Sequence, residues 1–253
     1  MYLRNSYVIA GGFFTNIIGN SNDDGVAIKN LGITNSFFSD GGNAAAFAGR
    51  VDGKVSIENC FSTSTIKGNG GTAGLVGLVY TQSELTIKNS FNAGVINGWR
   101  NSETGGLIGW INPNAKAAVF NSYNLDSLSS GLGNLLNANY DTSYTIEHSY
   151  HISFDTSADT TTRKGTGATP IQFADGTIAK ALHDYNENGV DGSVWDRMSV
   201  LTLTQSYPEK SPSRATRLYH RHRLLRQRKV PVPTRNQVPQ PRKKVPVPNS
   251  LSP

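Results

Sequence analysis

Cysteine is almost absent from this chain of 253 residues: Cys60 stands alone, which excludes an internal disulfide and a cysteine-based zinc site. No run of 18 apolar residues occurs, so no segment reads as a membrane-spanning helix. The hydrophobic fraction, 37%, is low for a compact globule of this size. Proline is scarce as far as Tyr207, and nine of the eleven prolines follow it. The first residues, Tyr2 to Ala10, hold one charge (Arg4) and lack the apolar run of a signal peptide. The body of the chain also lacks a basic stripe interleaved with aromatics, which argues against nucleic-acid binding there.

What the sequence does contain is a phrase that returns about every 30 residues. A Gly-bracketed apolar strand is followed by a strand ending in Asn and an aromatic. The copies are Gly11-Gly12-Phe13-Phe14 with Ile28-Lys29-Asn30-Leu31, Ala46-Phe47-Ala48-Gly49 with Ile57-Glu58-Asn59-Cys60-Phe61, and Gly74-Leu75-Val76-Gly77 with Ile87-Lys88-Asn89-Ser90-Phe91. Gly106-Leu107-Ile108-Gly109 with Val119-Phe120-Asn121-Ser122-Tyr123 is the fourth, and Gly131-Leu132-Gly133-Asn134 with Ile146-Glu147-His148-Ser149-Tyr150 a decayed fifth. The landmark Asn residues are 29, 30 and 32 residues apart, with 27 more to His148. A fixed period of this length means stacked supersecondary units whose core is a thin column, and that tolerates the low hydrophobic content. The fold class expected is all-β, a parallel β-helix (β-solenoid) of about five repeats over residues 11–152. Phe13, Phe47, Leu75, Leu107 and Leu132 should form one internal column. The pattern starts at Gly11 with no capping element before it, which suggests the C-terminal piece of a longer protein.

Alternation is clearest in Leu85-Thr86-Ile87-Lys88-Asn89-Ser90-Phe91, which places Leu85, Ile87, Asn89 and Phe91 on one face. Recurrent Asn at 30, 59, 89 and 121 fits either an inward ladder of amides or a corner with φ > 0, and the sequence does not separate the two. The flanking glycines, such as Gly74, Gly77, Gly106 and Gly109, fit corners where a Cβ would collide with the adjacent coil. Cys60 is read as a small residue in a slot shared with Ser36, Ser90, Ser122 and Ser149.

Residues 153–168 are polar, Thr-rich and aperiodic, and read as a linker. From Thr169 the style changes to a short helical closing module, 169–198. Thr169 caps it, Pro170 takes the first helical position and Gln172 completes a capping box. Phe173, Ile178, Ala181, Leu182 and Tyr185 lie at helical spacings, and Trp195 follows as an anchor. The element is expected to pack on the end of the solenoid.

The net charge of +6 averages two unlike regions. Residues 1–208 hold 12 Lys+Arg against 17 Asp+Glu, whereas 209–253 hold 12 against Glu209 alone. The stretch 207–253 is Pro-, Arg- and Lys-rich with little apolar mass, and is expected to be disordered. The abrupt change of vocabulary suggests that residues after about Met198 are an out-of-frame translation. A genuine basic arm binding an acidic surface is the competing explanation.

The phrases at 74–77 and 87–98 resemble the GLUG-type repeat of bacterial surface and secreted proteins. The run Gly11 to Asn35 is similar to the phrase that opens such arrays, and Gln172 to Trp195 to the module that closes them. The resemblance covers roughly 11–197 and implies a parallel β-solenoid, secreted or at the cell surface. It brings no catalytic motif, and the basic tail departs from it.

Chemistry-bearing residues are few. Asp184, Asn186 and Asn188, with Gly189 and Asp191, match the start of an EF-hand-like calcium loop. Trp195 stands where a closing bidentate acid is needed, so a solvated turn explains the same letters. Calcium is thus the sole cofactor candidate. Glycosidase chemistry needs two carboxylates about 5 to 10 Å apart. Asp52, Glu58, Glu84, Glu103, Asp126 and Glu147 do not align between repeats, apart from Glu58 and Glu147. Those two share a slot with Lys29 and Lys88 that reads as a solvated face. His148 reads as a polar substitute in the Asn slot. Trp99, Trp110, Tyr80 and Tyr140 are candidates for a sugar platform. The function expected is a non-enzymatic structural or adhesive segment with no catalytic residue, its partner a polysaccharide or a host or cell-surface glycan. The alternative is an accessory carbohydrate-binding or catalytic β-helix domain of a carbohydrate-active enzyme.

Overall fold

A computed structural model of the chain describes residues 1–20, 25–126, 135–138, 142–153 and 165–195. The tail 207–253, the question of the reading frame after Met198, and the residues Leu132 and Tyr140 lie outside them.

The chain is a parallel β-solenoid. Every pair of strands in its sheets is parallel, and successive repeats supply neighbouring strands. The Gly-bracketed segments build sheet I from Phe14–Ile18, Ala48–Asp52, Val76–Val79, Ile108–Ile111 and Leu136–Ala138. The segments that precede the landmark build sheet II from Val26–Lys29, Lys54–Glu58, Glu84–Lys88, Lys116–Phe120 and Ser143–Glu147. Beyond the landmark lies sheet III, with Gly32–Thr34, Phe61–Ser62, Phe91–Asn92, Tyr123–Asn124 and Tyr150–Ile152. Sheet IV holds Phe37–Asp40, Thr65–Gly68 and Val95–Gly98.

Pairing extends beyond the repeat phrase at both ends. Tyr2–Arg4 pairs with Gly32–Thr34 and Tyr7–Val8 with Phe37–Asp40, so a partial coil precedes Gly11. Thr166–Ala168 pairs with Tyr150–Ile152 as a seventh strand of sheet III, inside the stretch read as a linker. These three strands escape sequence reading because each is two or three residues long and carries neither the Gly bracket nor the Asn landmark.

The internal column forms through three of its five expected members, Leu132 lying outside the described residues. Phe47, Leu75 and Leu107 are fully buried and linked rung to rung by backbone bonds, and Leu107 N–H donates to Leu135 O. The fifth position is thus Leu135, also fully buried, because the register fixes Ile108 opposite Leu136. Phe13 stands in register with Phe47 but does not join the column: it is 38% exposed, because its strand is the edge of sheet I and no described coil covers it there.

The face proposed for Leu85, Ile87, Asn89 and Phe91 is split. Leu85 and Ile87 enter the solenoid core, while Phe91 lies outside it in a second cluster with Tyr123, Phe173 and Trp195. Asn89 stands between them at φ 47°, and a left-handed residue turns the chain so that strand alternation does not continue through it. Asn30, Asn59, Asn121 and His148 adopt the same conformation at φ 56°, 52°, 50° and 42°.

The glycines of the Gly-x-x-Gly phrase serve close approach, as their φ values are not positive. A Cβ on Gly74 would sit 2.3 Å from Asn92 Cγ, and one on Gly106 2.6 Å from Asn124 Cγ. In the preceding coil, where the residue opposite Asn92 is the smaller Ser62, the slot holds Ala46.

Candidate functional site: the asparagine and aromatic rails

Each landmark Asn is both a corner and a rung. Asn59 Nδ2 donates to Asn30 Oδ1 (3.2 Å), and Asn121 Nδ2 donates to Asn89 Oδ1 (2.7 Å). The ladder breaks at two places. Asn89 turns its amide to Asp191 O (3.0 Å), which leaves Asn59 Oδ1 buried without a donor. Asn121 Oδ1 is likewise without a partner, because the next rung is His148, whose ring stacks on Tyr185 at 4.2 Å. His148 therefore leaves the polar stack it was expected to continue.

Next to this rail runs a column of small residues. Cys60 N–H donates to Ser90 Oγ, Ser90 N–H to Ser122 Oγ and Ser122 N–H to Ser149 Oγ, at 3.1 to 3.2 Å. The register puts Leu31, and not Ser36, beside Cys60; Ser36 lies in the following corner, where it accepts from Ser6 N–H. Burial pushes the Cys60 thiol up, and the side chain is 1% exposed. Thiolate reagents are therefore expected to leave Cys60 unmodified in the folded protein and to label it fully in concentrated guanidinium chloride. Mass spectrometry after iodoacetamide reads this directly, and rapid labelling of native protein would contradict it.

Outside the tube the aromatics following the Asn form a second rail. Phe61 stacks on Phe91 at 4.9 Å and 4°, and Phe91 on Tyr123 at 4.8 Å and 7°. Tyr2 and Phe61 meet edge to face at 6.0 Å, with Gly32 as the rung between them. A further buried row, Ser62, Asn92, Asn124 and His151, lines the inner side of sheet III, with Asn92 Nδ2 donating to Asn124 Oδ1 (2.9 Å). Sequence reading missed this row; Asn92-Ala93-Gly94 and Asn124-Leu125-Asp126 are turn signals that could have revealed it, and both close local bonds.

The closing module rides on these rails. Thr169 and Gln172 make the capping box at helix α1 (Pro170–Ala174). Gly176, at φ 88°, then separates this first short helix from α2 (Thr177–Asp184). Phe173, Ile178, Leu182 and Tyr185 are buried as their spacing predicts, whereas Ala179, not Ala181, completes the buried face. Trp195, 6% exposed, wedges against Phe91 (6.0 Å) and Tyr123 (5.4 Å), and its indole N–H donates to Asn89 Oδ1 (3.2 Å). Asn121 Nδ2 also donates to Leu182 O (2.9 Å). The module thus covers the side of the solenoid, not its end, because the unsatisfied Asn groups and exposed rings lie along that side.

The charged slot beside the landmark is not a solvated face throughout. Lys29 and Glu58 pair at 2.8 Å, but Lys88 Nζ donates to Asn188 O (2.9 Å) and Glu147 accepts from Tyr185 Oη (3.0 Å) and Asn188 Nδ2 (2.6 Å). Two of its four charged members therefore fasten the module. On the same sheet Lys116 and Glu84 pair at 2.8 Å, and the Lys116 ammonium holds the Glu84 carboxyl below its ordinary range.

The calcium-loop residues are directed to separate partners. Asp184 pairs with Lys180 and His183, whose bonds hold its carboxyl low, and Asn186 accepts from Gly192 N–H. Asn188 donates to Glu147, and Asp191 accepts from Ser193 N–H, which lowers its carboxyl. Among the described residues no three His, Cys, Asp or Glu side chains converge. Calorimetric titration with calcium is expected to show no sub-micromolar site; such a site, abolished by Asp184→Ala, would overturn that expectation.

Of the sugar-platform candidates, Trp99 is 82% exposed and Trp110 partly buried. The Tyr80 ring is covered by the Arg50 guanidinium at 3.5 Å, itself bonded to Asp52 (2.8 Å). Trp99 follows Val95–Gly98 of sheet IV, whereas Trp110 lies within sheet I, so the two belong to different sheets. No helix among the described residues is long and apolar enough to cross a membrane.

No protein-family model matches the chain, and no curated protein matches it in sequence. In fold it is similar to the crystal structure of a "putative immunoglobulin A1 protease" from Bacteroides ovatus, at a TM-score of 0.50 and 19% sequence identity. The likeness covers 74% of this chain and 65% of the other, so the chain spans less than two thirds of that protein's length. At this identity the likeness is one of fold.

Proposed function

We propose that the chain is a non-enzymatic structural or adhesive repeat segment of a bacterial secreted or cell-surface protein. One observation carries the reading: most of the polar groups that recur along the array are taken up by the neighbouring coil or by the closing module. Asn bonds to Asn, Ser and Cys to Ser, and the charges of sheet II pair with the next rung or fasten the module. Catalysis instead requires groups that converge on one reacting atom. The GLUG-type phrases and the fold likeness to a Bacteroides ovatus protein support an extracellular setting.

The test is binding without turnover. Labelled full-length chain should bind immobilised host-cell or bacterial surface glycans, or the proteins that carry them, saturably and unchanged by time. The same preparation should leave immunoglobulin A1 and polysaccharide substrates intact over a day. Cleavage of either that survives purification would replace this reading with an enzymatic one.

A further inference from the structure

We propose that Asn188 is a slow covalent switch: it deamidates by attack of the Gly189 nitrogen, and the carboxylate that forms opposes Glu147 and loosens the closing module from the solenoid. The inference concerns the module alone and does not depend on the adhesive reading.

The sequence holds three Asn-Gly pairs, at 69–70, 97–98 and 188–189. In such a pair the Gly nitrogen can reach the side-chain carbonyl carbon of the Asn, because no Cβ on the second residue hinders the approach. The nitrogen must be free to turn. Gly70 N–H donates to Gly42 O (2.8 Å), and Asn97 and Gly98 lie in a strand paired with Thr65–Gly68, so a neighbouring coil holds both of these pairs. Gly189 N–H makes no hydrogen bond among the described residues. Asn188 and Gly189 are exposed, at φ 54° and 66°, in the turn between α2 and Trp195. The Lys88 ammonium donates to Asn188 O (2.9 Å), the oxygen on which negative charge gathers as the Gly189 nitrogen loses its proton. Of the three pairs, this one has its attacking atom unheld and its developing charge met by a cation.

In the step itself the Gly189 nitrogen gives up its proton and bonds to Asn188 Cγ. The Cγ–Nδ2 bond breaks, Nδ2 leaves with that proton as ammonia, and a five-membered succinimide closes. Water then opens the ring at either carbonyl, leaving aspartate or isoaspartate at 188. The nitrogen lost is the donor that ties the turn to the solenoid, through Glu147 Oε2 (2.6 Å) and Tyr185 Oη (2.8 Å). A carboxylate in its place faces Glu147 with nothing to donate, and Lys88 is then one cation beside two anions. The disturbance reaches the anchor. Three residues on, Asp191 O accepts from Asn89 Nδ2 (3.0 Å), and the Trp195 indole reaches the Oδ1 of the same Asn (3.2 Å), so a turn pushed outward pulls on both.

The test ages the full chain in warm, mildly alkaline buffer for several days and follows the conversion of amide to acid by peptide mass spectrometry. The peptide holding Asn188 should convert about tenfold or more faster than those holding Asn69 and Asn97. The acidic fraction, separated by anion exchange, should exchange its amides in 185–195 about tenfold faster than the unconverted chain, with sheets I and II unchanged. Asn188→Asp should match that fraction without ageing, and should be looser than Asn188→Ala, which loses the bond and gains no charge. Adding Glu147→Gln to Asn188→Asp should restore most of the protection. Should Asn188→Asp fail to fold by circular dichroism, the aged fraction of the parent still decides. The proposal falls if Asn69 or Asn97 converts as fast as Asn188, if the converted fraction keeps the protection of the parent, or if Glu147→Gln leaves Asn188→Asp as loose as before.

Discussion

Trp195→Ala is expected to release residues 169–195 from the solenoid while the solenoid itself stays folded. The indole is 6% exposed, packs on Phe91 and Tyr123, and makes a buried bond to Asn89. Truncating a buried aromatic of this kind costs about 3 to 5 kcal/mol. The module has little of its own to offset that loss, since α1 and α2 are five and eight residues long and isolated helices of that length are marginal. Amide exchange in 170–195 should approach that of an unfolded peptide, with the strands of sheets I and II still protected, and the exposed Phe91, Tyr123 and Phe173 should bind a hydrophobic dye. Trp195→Phe keeps a ring and loses the N–H, so it should recover most of the docking and fall short by about 1 kcal/mol. Equal protection in the parent and Trp195→Ala would show that the wedge is incidental.

Gly74→Val is expected to disrupt the middle of the solenoid. Its Cβ would fall 2.3 Å from Asn92 Cγ and 2.6 Å from Gly106 O. Asn92 is fully buried and bonded to Asn124, so neither it nor the backbone of the next coil can move without breaking a rung. Overpacking of this severity costs about 3 kcal/mol, at the upper end of the usual range. In a stack where each coil leans only on its neighbours, the damage should show as a separate early unfolding step and not as a uniform shift. Gly74→Ala with Asn92→Ser reproduces the Ala46 and Ser62 pair of the preceding coil, and should restore a single transition. Failure of that double variant to improve on Gly74→Ala alone would show that the two residues are not coupled.

The repeat phrase by itself determined the parallel coil, the two principal strand sets and most of the buried column, because these depend on contacts between equivalent residues one period apart. Leu75 finds Leu107 for the same reason that Ile87 finds Val119, and a period can be counted. The capping box of the module was equally legible, being complete within Thr169 to Gln172. The sequence also narrowed the Asn residues to two roles without choosing. Only the tertiary structure showed that both hold, since an Asn at φ near 50° can turn the chain and still aim its amide along the axis.

What only the tertiary structure decided is everything that crosses the period. Lys88, Glu147, Asn89 and Asn121 fasten a module that follows the array, through contacts 38 to 106 residues apart that no repeat spacing encodes. Phe91 and Tyr123 look like core on a strand template, yet they face outward because the left-handed Asn before them reverses the alternation. A periodic sequence specifies its own stacking, whereas the side of the stack that stays open depends on where a non-periodic segment comes to rest.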